Sequence, residues 1–136
     1  MQKVLKISLL LIFILTFNNF SAQLDTLNYV KQFEVNKTNY IGKSLNSLLT
    51  DMVVIQPKTV WSRSGGRVKT QSLGSAFKFT TMDLSFRNTV TLLIYWQDAI
   101  PRDETKYYEQ KNGFYFTNDE KNFYGNKIIK DIKVYR

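Results

Sequence analysis

The chain has 136 residues, a formal net charge of +8, and neither cysteine nor histidine. Its composition therefore excludes disulfides, Ser-His-Asp triads, Cys-His pairs and zinc sites with nitrogen or sulfur ligands. The excess of cations favours anionic surroundings such as a membrane surface, an acidic glycan or nucleic acid, and it also promotes solubility. No glycine loop of the phosphate-binding type is present, so we expect no cofactor.

Residues 1–23 have the pattern of a secretory signal peptide. Two lysines precede an uncharged apolar block at 7–17, and small residues follow just before a cleavage site expected after Ala22 or Gln23. The apolar block is too short for a membrane span, which needs about twenty residues. We therefore expect export, to the periplasm or beyond, of a mature single domain at 24–136 that has no transmembrane anchor.

The first two elements after the leader are predicted to be short helices. In the segment from Leu24 to Glu34, apolar residues recur at helical spacing after Asp25, which is a suitable N-cap. A second helix is predicted after Ser44, because three leucines form a narrow stripe suited to packing on a sheet. These are Leu45, Leu48 and Leu49.

Strands are predicted next. Met52 to Gln56 is expected to form the first strand, ended by Pro57, and residues 59–63 continue in extended form. Ser64-Gly65-Gly66 predicts a tight turn, with a returning strand from residue 68 that is loosened at Gly74. The apolar residues change parity near Thr81, which predicts a bulge or tight turn there.

The stretch from Thr89 to Trp96 is predicted to be the central strand. It carries no charge and is largely apolar on both faces, which is typical of an interior strand. One face is expected to carry Val90, Leu92, Ile94 and Trp96.

The last third of the chain returns to helices and ends on a strand. A helix is predicted from Pro101 to just before Gly113, and a capping box at Thr117 to Glu120 begins another. Ile128 to Tyr135 is the last predicted strand, with Ile128, Ile132 and Val134 on one side. We therefore expect an α+β fold of two layers, with short helices packed on one face of a mainly antiparallel sheet of about four to five strands.

An acidic cluster is one candidate for chemistry. Asp98, Asp103, Glu104 and Glu109 have the residue types of an acid/base pair or of a calcium site. The structural alternative is that Asp103 and Glu104 occupy the first turn of a helix, where the helix dipole favours negative charge. No alternating Asp/Asn loop accompanies them. We assign no catalytic and no metal-binding residue.

A basic hairpin is the candidate binding site. Arg63 and Arg67 are predicted to lie close together across the turn as a fork for carboxylate, sulfate or phosphate. Backbone N–H groups of the two glycines can add to an anion site. The alternative is a solvated hairpin whose charges prevent edge pairing. The candidate residues are Trp61, Arg63, Gly65, Gly66, Arg67 and Lys69.

An aromatic group near the C-terminal end has two interpretations. Interleaved with lysines, its rings suit the stacking of sugars or bases, but we expect several of them to close the core over the sheet. The group comprises Tyr107, Tyr108, Phe114, Tyr115, Phe116, Phe123 and Tyr124.

The preferred functional hypothesis is an exported, non-enzymatic binding module for a protein or an anionic glycan in the cell envelope or outside the cell. Nucleic acid is not expected, because the chain is predicted to leave the cytoplasm and has no recognition motif. The alternative is a small secreted hydrolase or lyase that acts on glycan or peptide through carboxylates or a Ser-Lys pair. A lipid or small-ligand carrier is a third hypothesis, which requires an apolar cavity behind the sheet.

Overall fold

A computed structural model describes residues 25–136 as four α-helices and four strands, so the fold is α+β. The signal peptide predicted at 1–23 lies outside the described residues. The helices are α1 Thr26–Val35, α2 Leu45–Asp51, α3 Arg102–Asn112 and α4 Asn118–Gly125. The strands are β1 Thr59–Gly65, β2 Val68–Lys78, β3 Thr91–Pro101 and β4 Ile129–Tyr135. Short 3₁₀ turns lie at Lys37–Asn39 and Met82–Leu84.

The four strands form one antiparallel sheet in the order β1-β2-β3-β4. The strand predicted to be central, β3, is therefore an interior strand, as expected from its two apolar faces. Within residues 25–136, no helix has both the length and the apolar character that crossing a membrane requires.

The core lies between the helices and one face of the sheet. Leu92 and Ile94 of β3 are fully buried and pair across the sheet with Val134 and Ile132 of β4. Helices α1, α2 and α4 add their apolar sides to the same cluster. Burial of large apolar side chains is the main stabilising contribution here, at about 25 cal/mol per Å² removed from water. The helical contributors include Val30, Phe33, Leu45, Leu48, Leu49 and Tyr124.

Two predicted helix caps are confirmed, whereas Ser44 precedes α2 without a side-chain capping hydrogen bond. The Asp25 side chain accepts a hydrogen bond from the Asn28 backbone N–H at 3.2 Å and caps α1. At α4, Thr117 and Glu120 form both halves of the capping box. Helix α3 ends at Gly113, whose φ of 58° is the left-handed conformation that glycine adopts most easily.

The strand predicted at Met52–Gln56 is wrong. Met52 ends α2, and the side chains of Val53 and Val54 are 82% and 57% exposed. The Gln56 side-chain amide donates hydrogen bonds to the carbonyl oxygens of Leu49 and Met52. This segment therefore satisfies the carbonyl end of α2, and it does not pair with the sheet.

Two predictions about side-chain direction have different outcomes. The apolar residues change parity near Thr81, and the tight turn predicted there is confirmed. Strand β2 ends at Lys78, and a 3₁₀ turn follows at Met82–Leu84. The assignment of Ile128 to the core side of β4 is wrong, because Ile129 is the fully buried residue opposite Trp96. Tyr95 pairs with Asp131, but the next residue, Trp96, pairs with Ile129, so Lys130 is an extra residue in β4. The resulting β-bulge reverses the alternation of side chains.

The aromatic group is divided between core and surface. Tyr124 is buried and stacks on Trp96 with ring centroids 5.7 Å apart, and Phe116 and Phe123 pack against the core. Tyr107 and Tyr115 are exposed. The predicted core role therefore holds for part of the group.

Candidate functional site on the open face of the sheet

The sheet face turned away from the core cluster is the main candidate site, and we call it the open face. Cross-strand pairing places its side chains in three successive rows, with one residue of each strand in every row. The open face comprises Thr59, Trp61, Arg63, Gly74, Ala76, Lys78, Thr91, Leu93, Tyr95, Asp131, Lys133 and Tyr135.

Arg63 reaches across the open face. Its guanidinium donates a hydrogen bond to the Tyr135 hydroxyl at 3.0 Å, which joins one edge strand to the other. The small side chain of Ala76 and that of Leu93 lie in the rows between, and both are buried. Arg63 is thus held over the middle of the sheet, where its remaining N–H groups are available to an acceptor.

Trp61 is enclosed by three neighbours at one end of the open face. Phe114 stacks on its indole with ring centroids 4.0 Å apart, and Phe86 makes an edge contact at 5.1 Å. Lys78 Nζ lies 5.8 Å from the centroid of the same ring. The indole nitrogen is buried and finds no hydrogen-bond partner within residues 25–136.

Lys78 is a partly buried amine at the same end. Its Nζ donates a hydrogen bond to the carbonyl oxygen of Ser85, in the connection between β2 and β3. Burial lowers the pKa of Lys78, and the positive charge of Arg63 lowers it further. The two cations are therefore close enough to repel each other.

A third cation and a surface cavity occupy the other end. Lys133 Nζ lies 5.4 Å from the ring centroid of Tyr95. Both line a cavity of about 410 Å³ together with Leu73, Gln97 and Asp131. The Asp131 carboxylate is engaged by Lys37 Nζ at 2.6 Å, so its charge is already balanced.

The predicted hairpin residues divide into two groups. Trp61 and Arg63 belong to the open face, whereas the other four form the hairpin tip, defined as Gly65, Gly66, Arg67 and Lys69. Gly65 pairs with Val68, and Gly66 takes a φ of +57°, as the predicted tight turn requires. The Arg63 guanidinium is bonded to Tyr135 on β4, whereas Arg67 and Lys69 are exposed at the tip.

The acidic cluster does not form a shared site. Three of its members, Asp98, Asp103 and Glu104, are exposed. Glu109 is buried, and its carboxylate accepts hydrogen bonds from the backbone N–H and hydroxyl of Ser62 and from the Arg102 guanidinium. No group of three or more acidic residues suited to a metal ion occurs within residues 25–136.

The contact between Lys78 and Ser85 does not resemble a catalytic Ser-Lys pair. The amine binds the main-chain carbonyl oxygen of Ser85, while the Ser85 hydroxyl donates to the Met82 carbonyl oxygen at 2.7 Å. A general base has to bond the hydroxyl whose proton it removes. This geometry therefore fixes the β2–β3 connection in place.

The edge of β1 is sealed by side-chain and backbone contacts. The outward N–H of Ser62 donates to the Glu109 carboxylate at 2.9 Å, and the Val60 N–H donates to the Phe114 carbonyl oxygen at 2.9 Å. Helix α3 and the segment after it therefore occupy the positions at which a further strand would pair.

The edge of β4 is also occupied. Lys31 of α1 donates to the Val134 carbonyl oxygen at 3.1 Å, and the Asp131 side chain accepts from the Ile132 N–H at 2.9 Å. Near the start of the strand, the Ile129 N–H donates to the Lys43 carbonyl oxygen. Strand addition is therefore blocked at these positions.

The sequence prediction missed the other ten residues of the open face, among them Lys78, Lys133 and Tyr135. A usable signal was present for each of these three. In Ile132-Lys133-Val134-Tyr135, strict alternation assigns Lys133 and Tyr135 to the side opposite the core. Lys78 lies between Phe77 and Phe79, and this alternation of apolar and charged residues assigns Lys78 to the face opposite the two phenylalanines.

Comparison of the chain with protein-family models, with curated proteins and with solved structures found no significant match. The function has to be inferred from the arrangement of the residues themselves.

Proposed function

We propose that this chain is an exported binding module that contacts a negatively charged macromolecular partner, a protein or an anionic glycan, in the cell envelope or outside the cell. The open face makes the contact, and Arg67 and Lys69 of the hairpin tip extend it. Export rests on the signal-peptide pattern of residues 1–23.

One observation carries this proposal. Arg63, Lys78 and Lys133 share the open face, and none of the ion pairs found within residues 25–136 includes them. Cations without carboxylate partners create a positive potential that attracts and orients an anionic partner. Exposed Tyr135 and Phe86 add aromatic area beside these charges.

The enzymatic alternative receives no support from the positions of its residues. The buried carboxylates of Glu109 and Glu120 are used in hydrogen bonds that hold β1 and α4 in place. Lys78 and Ser85 are not arranged as base and nucleophile. A binding role requires none of these groups to react.

A recovery experiment with matched variants tests the binding role. Tagged protein is cross-linked in its host cells and recovered from the envelope and the medium. We expect Arg63→Gln/Lys133→Gln to reduce the recovered partner about tenfold, because two attractive charges are lost at the contact. The control, Lys106→Gln/Lys121→Gln, removes two exposed charges from α3 and α4 and is expected to recover the partner normally.

Equal recovery by both double variants would contradict the proposed role of the open face. The same samples test export through the mass of the recovered protein. We expect the N-terminus to follow Ala22 or Gln23, whereas an intact Met1 on protein confined to the cytosol would contradict export.

A further inference from the structure

Thr59, Trp61, Arg63 and Lys78 form a cluster at one end of the open face, which we call the Lys78 cluster. Thr59 lies directly opposite Lys78 in the cross-strand pairing, and Trp61 is two residues further along the same strand and face. The Ser85 carbonyl oxygen holds the Lys78 amine beneath the β2–β3 connection. The Lys78 amine uses one of its three N–H groups in this hydrogen bond, and the other two can donate to another acceptor.

The cluster contains two neighbouring positive charges and no counterion. The Arg63 guanidinium is bonded to the Tyr135 hydroxyl, and Tyr135 stands in the same cross-strand row as Lys78, with Thr91 between them. Burial lowers the pKa of Lys78, and the nearby Arg63 charge lowers it further. The acidic side chains that form ion pairs within residues 25–136 all lie elsewhere. An oxyanion between two such cations relieves their repulsion and accepts hydrogen bonds from both.

Two buried polar atoms of the cluster have no hydrogen-bond partner. Within residues 25–136, four buried side-chain polar atoms lack a hydrogen bond, and they belong to Thr59, Trp61, Thr80 and Thr89. The first two are members of the cluster, whereas Thr80 and Thr89 line a separate cavity next to the start of α1. An unsatisfied buried group costs about 1–3 kcal/mol. Such groups are rare in native proteins, so the Thr59 hydroxyl and the Trp61 indole N–H each leave a hydrogen bond for water or a ligand to complete.

The surroundings of Trp61 favour a protein over a glycan. A sugar ring binds to the free face of an aromatic side chain, but this indole is stacked against Phe114 and contacted by Phe86 and Lys78. Phe86, which contacts Trp61, is itself 74% exposed, and Arg63 is exposed as well. Arginine and aromatic residues around a small desolvated centre are typical of the residues that dominate protein–protein binding.

We propose that the Lys78 cluster binds an aspartate or glutamate carboxylate of a protein partner. The carboxylate accepts hydrogen bonds from Arg63 and Lys78, the Trp61 indole N–H is the third donor, and an apolar residue of the partner covers Phe86. This inference rests on the proposed function, since it names the chemical group and the class of partner that the open face recognises.

The two tryptophans provide a direct test, because the Trp96 indole N–H is already bonded to the Ser75 hydroxyl at 3.0 Å. In protein labelled with nitrogen-15, each indole N–H gives its own signal, and Trp61→Phe assigns them. Titration with hexaglutamate at constant ionic strength is expected to shift the Trp61 signal to saturation and to leave the Trp96 signal in place. An unmoved Trp61 signal would overturn the proposal.

Matched variants locate the binding site. Arg63→Gln and Lys78→Gln are each expected to weaken hexaglutamate binding about tenfold, because each removes a charged donor. Lys106→Gln on α3 removes one positive charge outside the open face and the hairpin tip, and it is expected to change the affinity by less than about twofold. An equal loss in all three variants would show attraction by net charge alone and would overturn the assigned site.

Two further probes distinguish the class of ligand. Hexagalacturonate presents six carboxylates on a sugar backbone, and inorganic phosphate is an anion without a chain. We expect both to bind at least about tenfold more weakly than hexaglutamate, because only a glutamate side chain carries its carboxylate on two methylene groups that can contact Phe86. Tighter binding of hexagalacturonate would replace the protein partner with a glycan. An equal response to phosphate would mean an adventitious ion only. Either result overturns this inference, whereas the proposed function is decided separately by partner recovery.

Discussion

The two faces of the sheet differ in how completely their buried polar groups are hydrogen-bonded. On the helical side, all four carboxylate oxygens of Glu109 and Glu120 accept hydrogen bonds from within the chain. On the open face, the Thr59 hydroxyl and the Trp61 indole N–H are buried without a partner in residues 25–136. Burial of a polar group is therefore not itself a sign of function. The sign is whether the fold completes its hydrogen bonds.

The strongest test of this contrast uses adjacent residues of β4 that point to opposite faces. Ile132→Ala should lower the free energy of unfolding by about 2–5 kcal/mol, because it leaves a cavity in the core. Lys133→Ala should change it by less than about 0.5 kcal/mol, because that side chain is on the exposed edge of the open face. Urea denaturation measures both. Similar values for the two variants would contradict the assignment of the faces.

A second test asks whether Glu109 is structural. Glu109→Ala leaves the Ser62 N–H and the Arg102 guanidinium without their acceptor. Because the Arg102 side chain is 31% exposed and the Glu109 side chain only 6%, we expect a loss near the lower end for buried pairs, about 3 kcal/mol. The control Glu104→Ala, on the same helix but exposed, should cost at most about 1 kcal/mol. Urea denaturation measures the free energy of unfolding of both variants. If Glu109→Ala loses no more stability than Glu104→Ala, the structural role of Glu109 is contradicted.

The α4 capping box should have a smaller effect. Thr117→Ala removes one acceptor for the helix N–H groups and one donor to Glu120, and it should cost about 1 kcal/mol. Amide hydrogen exchange should become faster in the first turn of α4 before it does so in β3. Unchanged exchange in that turn would mean that tertiary packing alone fixes the start of the helix.

The smallest expected effect is the pH dependence contributed by Asp131. The hydrogen bond from Lys37 lowers the pKa of this carboxyl, and the Ile132 N–H lowers it further. A carboxyl with a lowered folded-state pKa adds stability above its ordinary pKa of about 4, and this stability is lost as the pH falls through the folded-state value. The Asp131 side chain is 34% exposed, so solvent screens its ion pair with Lys37. We therefore expect Asp131 to contribute roughly a few tenths of a kcal/mol to the free energy of unfolding.

Comparison with Asp131→Asn isolates this contribution. The difference in unfolding free energy between the wild type and the variant should be present near neutral pH and should shrink as the pH falls below about 4. Added salt should reduce it as well, because a partly exposed ion pair is screened. A difference that grows on acidification would show that the Asp131 carboxyl is not stabilised in its charged form by the fold.

Local signals predicted much of the fold, and non-local contacts account for the errors. Asp25 and the capping box were recognisable because a cap depends on residues within one turn. Val53 and Val54 have strand propensity, but Gln56 folds back onto α2, and propensity does not reveal that contact. The bulge that replaces Ile128 with Ile129 depends on pairing with β3, which no pattern within β4 shows.

The candidate site was only partly predictable for the same reason. Trp61 and Arg63 were identified from their own neighbourhood, a basic hairpin with glycines. Their contacts with Lys78, Phe114 and Tyr135 arise from the register of the sheet and from the segment after α3. Sequence periodicity assigns a residue to a face, but it does not say which distant residues share that face.

The hydrogen bond between Lys31 and Val134 joins residues 103 positions apart. Helix α1 packs on β4, which leaves the ribosome after every other described element. The first helix therefore cannot complete its packing until β4 has been synthesised. Until then, the core on that side of the sheet has no partner for α1.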